Sequence, residues 1–110
     1  MTTVPKKIKL MADYDSWCLW DLVNIGNIDP ETLPLSQPLK KALHAWEKKY
    51  NATLNRENPI ESGFASQEDA QKFNVEGWRL WEQLTDELDG IEVVYFDNEL
   101  RAVLGARPSI

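Results

Sequence analysis

The chain has 110 residues, the span of one ordinary domain, and its hydrophobic share of 43 % is enough to close one core without staples. Eighteen acidic residues against twelve Lys and Arg leave a net charge of −6, which argues against gripping a nucleic-acid backbone and favours a basic partner or plain solubility. A lone cysteine, Cys18, excludes an internal disulfide and a cysteine-based zinc site, and a lone histidine, His44, removes most catalytic triads.

Lys6, Lys7 and Lys9 precede an apolar run, but Asp13 and Asp15 break it well short of a signal-peptide core or a bilayer span. The expectation is a reduced, cytoplasmic setting with no membrane contact. Residues 7–14 read as a strand, with Ile8, Leu10, Ala12 and Tyr14 on one face and Lys7, Lys9, Met11 and Asp13 on the other. Met11 is the misfit, and it predicts an outer face that is partly covered. Residues 15–35 show no sustained period. Their apolar start at Trp17-Cys18-Leu19-Trp20, followed by Gly26, Pro30 and Pro34, predicts a strand end running into a packed, ordered loop.

The first helix is predicted near residues 36–52. Ser36 is placed to cap it, Pro38 falls in its first turn, and Leu39, Leu43, Trp46, Tyr50 and Leu54 cluster within about 80° of arc. Asn51 or Asn55 closes it, and Asn58-Pro59 and Gly63 mark a loop. The second helix is predicted near residues 66–89, from a Ser66 cap to Gly90 just past its end. Its stripe runs Ala70, Phe73, Gly77, Leu80, Trp81, Leu84 and Leu88, with Trp78 at the boundary; Gly77 offers bare backbone to a large neighbour such as Trp46. Residues 91–96 are β-branched and aromatic, Asp97-Asn98 suits a turn, and residues 100–104 suit a returning strand before a frayed tail from Gly105. The sum is an α+β fold in the order β-α-α-β-β, two antiparallel helices on one face of a small sheet, one domain over 1–110 with its ordered core at about 7–104.

Asp13, Asp15 and Asp21 gather near a strand end beside Trp17 and Trp20. Three readings compete: solvated or capping carboxylates, an acidic and aromatic recognition patch, or a divalent-metal or acid–base site. The spacing lacks the turn glycine and closing Glu of a calcium loop, so no metal and no cofactor are assigned. His44 falls about 130° from the centre of its helix's stripe, facing solvent with no carboxylate to orient it. Cys18, between Trp17 and Leu19, reads as a buried and inert thiol. The second helix carries seven acidic residues against Lys72 and Arg79, while the first carries Lys40, Lys41, Lys48 and Lys49 against Glu47. That asymmetry serves charge complementarity between the helices or, through Glu76 and Glu82, a negative face for a basic partner.

The loops carry a further signal. Leu10-Met11-Ala12-Asp13-Tyr14, Trp20-Asp21, Gly26-Asn27-Ile28-Asp29-Pro30, Leu33-Pro34-Leu35-Ser36, Thr53-Leu54-Asn55, Asn58-Pro59, Ser62-Gly63-Phe64 and Glu76-Gly77 stand in one order. Across about residues 6–96 the chain resembles a group of small bacterial proteins. It is similar to the immunity proteins that accompany toxins of contact-dependent growth inhibition and related polymorphic systems. The resemblance implies a cytoplasmic protein, not an enzyme, that binds and blocks a cognate toxin domain, and it carries over no catalytic residue. Many such toxins are nucleases with basic clefts, which an acidic inhibitor occupies quickly through electrostatic steering. The expected partner is therefore a basic toxin domain rather than nucleic acid or a membrane. The expected contacts are Asp13, Asp15, Trp17, Trp20 and Asp21, with Glu76 and Glu82 as a second surface. A generic interaction module with another partner, and a small metal-dependent enzyme using Asp13, Asp15 and Asp21, are the competing functions.

Overall fold

The computed structural model describes residues 5–54, 57 and 63–107. Five strands form one sheet in the order β3-β2-β1-β4-β5, with β1 at Lys7–Leu10, β2 at Leu19–Asp21, β3 at Gly26–Ile28, β4 at Glu92–Asp97 and β5 at Ala102–Leu104. The two helices, α1 at Gln37–Asn51 and α2 at Gln67–Glu87, lie between β3 and β4 in sequence. They form the crossover that lets β1 and β4 pair in parallel, while every other strand pair is antiparallel.

Both helices begin where the sequence predicts. The Ser36 hydroxyl accepts the Leu39 N–H at 3.3 Å, and that of Ser66 accepts the Asp69 N–H at 3.1 Å. Their stripes meet in antiparallel register. The start of α1 reaches the end of α2, where Ser36 donates its N–H and its hydroxyl to Glu87 at 2.6 and 2.8 Å. At the other end Trp46 stacks on Phe73 with centroids 4.4 Å apart, and Lys49 pairs with Glu76 at 2.7 Å. This layer packs on Ile8, Leu10, Leu19, Val93 and Tyr95, the inward residues of β1, β2 and β4. The α+β class and the helices on one sheet face therefore stand, with two strands added to the expected order.

Those two strands lie in residues 15–35, where the expectation is a strand end running into a packed, ordered loop. β2 and β3 form a hairpin on the edge of β1, turned by the Asp21 carboxylate, which accepts the N–H groups of Val23 and Asn24 at 2.9 and 3.0 Å. A 3-10 turn at Pro30–Thr32 follows, capped by Asp29. Strands of three residues are too short to show alternation, so periodicity had nothing to detect. Conversely, β1 stops at Leu10, short of Tyr14, because the chain doubles back through a turn in which Asp15 takes a left-handed φ of 56°.

Two tryptophans trade places relative to expectation. Trp78 is buried at 2 % exposure in the core cluster, where Asp97 accepts its indole N–H at 2.9 Å; Trp81 is only partly buried and donates to the Val93 carbonyl. Gly90 takes a φ of 83°, the left-handed conformation expected just past a helix end. The Asn58-Pro59 loop, the alternative helix stop at Asn55 and the last residues of the tail lie outside the described residues.

Gly77 sits where α2 presses on the core: a Cβ there would collide with the Tyr95 hydroxyl and stand 2.8 Å from Cζ2 of Trp46. Gly77→Ala is expected to destabilise by about 1–3 kcal/mol through overpacking, although helix propensity alone would favour it by about 1 kcal/mol. Urea unfolding measures the sign; a stabilised variant would show that the two rings yield.

Candidate functional site

The turn that follows β1 is anchored at several points, which leaves its side chains presented on a fixed backbone. Tyr14 stacks on Tyr50 with centroids 4.7 Å apart and shares a 2.8 Å hydrogen bond with the Thr53 hydroxyl. The Asp15 N–H donates to Asn51 at the end of α1 at 2.9 Å. Asn27 of β3 clamps the return arm, accepting the Trp17 N–H at 2.9 Å and donating to the carbonyls of Trp17 and Leu19 at 2.8 and 3.0 Å. Asp13, Asp15 and Trp17 are exposed on this turn, Trp17 at 42 %.

The remaining candidates point elsewhere. Trp20 lies half-buried on the outer face of the sheet, its indole N–H donating to the Met11 carbonyl at 2.9 Å. Asp21 spends one carboxylate oxygen on its own turn. On α2, Glu76 is held by Lys49, whereas Glu82 is exposed beside Trp81 and Asp86. Six positions place Glu76 and Glu82 about 120° apart around the helix, so they do not form one surface. Among the described residues, no three His, Cys, Asp or Glu side chains converge as a metal would require.

His44 departs from its sequence reading. It is half-buried, with Nδ1 3.0 Å from the Glu47 carboxylate one turn on and Nε2 3.9 Å from Glu31 of the 3-10 turn. The neighbour at i+3 is a carboxylate that the sequence reading passed over, and Glu31 arrives only through the fold. Glu47 is itself buried, and its second oxygen accepts the Cys18 N–H at 2.8 Å. Cys18 is fully buried; burial first, then the Glu47 charge, pushes its thiol well above the ordinary range, which keeps it protonated and unreactive.

The helices cover one sheet face, and the other carries Lys7, Lys9, Trp20, Val94, Phe96 and Val103, the residues that alternate with the core positions. The expected partial cover over Met11 is supplied by no helix among the described residues, and none of those helices is long and apolar enough to cross a membrane.

A search among curated proteins returns no match. A family model described as Serratia CdiI immunity protein-like matches residues 6–98, from the residue before β1 to the residue after β4. With most of its length and both helices inside that match, the chain belongs to the Serratia CdiI immunity protein-like family.

Proposed function

We propose that the chain is a cytoplasmic immunity protein that binds a cognate bacterial toxin domain and neutralises it by covering a basic active-site surface, such as a nuclease presents. The family match over residues 6–98 carries the reading. The exposed Asp13, Asp15 and Trp17 and the net charge of −6 support its electrostatic part. The action is stoichiometric binding without turnover. Asp13 and Asp15 steer the approach, and Trp17 fills a pocket on the toxin while Trp20 supports the turn from the sheet. Asp21 keeps the β2–β3 turn in place, and Glu76 and Glu82 add negative field from α2.

Binding kinetics against the toxin domain encoded beside the chain separate these roles. Asp13→Asn with Asp15→Asn is expected to slow association and flatten its salt dependence with little change in dissociation. Trp17→Ala is expected to cost about 2 kcal/mol of affinity, seen mainly as faster dissociation. Unchanged kinetics in both variants would remove this turn from the interface, and no complex even at low salt would remove the function.

A further inference from the structure

The open sheet face runs against the acidic character of the chain. β1 is the central strand, so Lys9 stands in the middle of that face, with Trp20 of β2 on one side and Val94 of β4 on the other. Lys7, two residues earlier on the same face, is matched by Glu92 at 3.5 Å. Lys9 is half-buried and takes part in none of the ion pairs among the described residues. Val94 itself is buried at 5 % exposure, so the apolar surface that is reachable beside Lys9 is the half-buried Trp20 and Phe96 and, on the edge strand β5, Val103 at 49 %.

The Lys9 side chain lies between an indole and a valine, with no counter-charge among the described residues. A carboxylate brought to it within an apolar surround restores the missing partner, and the surround strengthens the pair by excluding water. We propose that this open face, centred on Lys9, is a docking surface for the toxin domain, which meets it with an apolar patch built around a carboxylate. This rests on the immunity reading and adds the face and the chemistry of its partner. A second copy of the chain fits less well, because a two-fold contact centred on β1 would set Lys9 against Lys9. The acidic turn begins at Asp13, three residues past the end of the same central strand at Leu10. The toxin would then meet a cation on the face and anions at its end, an arrangement of signs that fixes one docking orientation.

The test uses the full chain and the purified toxin domain. Lys9→Glu and Val103→Asp, on different strands, are each expected to weaken binding at least about tenfold, and Lys9→Arg to stay near wild type. Acylation of lysines in the wild-type complex, which needs no variant, is expected to slow at Lys9 and to continue at Lys41 and Lys48 on α1. A complex that forms normally while Lys9 labels as fast as in the free chain would overturn the docking face and leave the immunity function intact. No complex with wild type would remove both. A toxin-free dimer broken by Val103→Asp would give the face to a second copy and overturn the proposal.

Discussion

Replacing Asp97 by alanine should lower the unfolding free energy by about 2–4 kcal/mol, a large share of a small domain's stability. Asp97 ends β4 and is 4 % exposed. Its carboxylate accepts the Trp78 indole N–H at 2.9 Å, the Asn74 amide at 3.2 Å, and the N–H groups of Glu99 and Leu100 at 2.9 Å each. Alanine would leave two buried side-chain donors of α2 without an acceptor and release the turn into β5. Asn74 in turn accepts the Tyr95 hydroxyl at 2.7 Å and the Asn98 N–H at 3.0 Å, so the damage spreads through the network.

The same site predicts an acid dependence. Burial alone would raise the Asp97 pKa, but the bonds from Leu100, Trp78, Asn74 and Glu99 outweigh it and hold the carboxyl below its ordinary value. A group depressed in the folded state contributes stability that is full above the unfolded pKa and is lost as pH falls through the folded one. The gap between wild type and Asp97→Asn in urea unfolding should therefore be full at neutral pH and narrow as pH drops below about 4. A gap that stays constant into acid would show that the carboxylate's charge is not what the network holds.

Trp46→Ala should cost about 3–5 kcal/mol, the range for truncating a large buried aromatic. The indole is fully buried, lies parallel to Phe73 at 4.4 Å, sits 6.2 Å from Tyr95 and donates to the Phe73 carbonyl at 3.0 Å. It is the piece that α1 inserts between α2 and the sheet, so its removal opens a cavity at the junction of all three. Leu39 and Leu43 sit on the same α1 stripe and cannot move to fill it without breaking their own contacts. A midpoint shift worth less than about 1 kcal/mol would mean that the core collapses around the gap.

What could be seen in advance follows the range of the interactions. The helices were legible because their stripes, the Ser36 and Ser66 caps and the placement of Gly77 are written within a few residues. The β2–β3 hairpin was not, since Leu19–Asp21 and Gly26–Ile28 acquire meaning only against β1. Glu47 reading Cys18 across 29 positions, and Asp97 gathering donors from α2, are likewise products of the folded arrangement. For the site, a strand running into a turn was enough to mark Asp13 and Asp15 as candidates, whereas the apolar run around Trp17 left open whether that ring is exposed or packed. Asp21 looked equivalent in sequence because an exposed carboxylate and a turn-capping one differ only in which N–H groups come near. Lys9 escaped notice for a similar reason. Alternation placed it outward, and outward lysines are ordinary until the neighbouring strands set an indole and a valine beside it.

Growth of cells producing the cognate toxin domain, with the wild-type chain either present or absent, measures neutralisation most directly. Rescue by the chain, together with recovery of a stoichiometric complex from those cells, is the predicted result. Continued growth arrest with the chain present in soluble excess, and no toxin recovered with it, would contradict the immunity function.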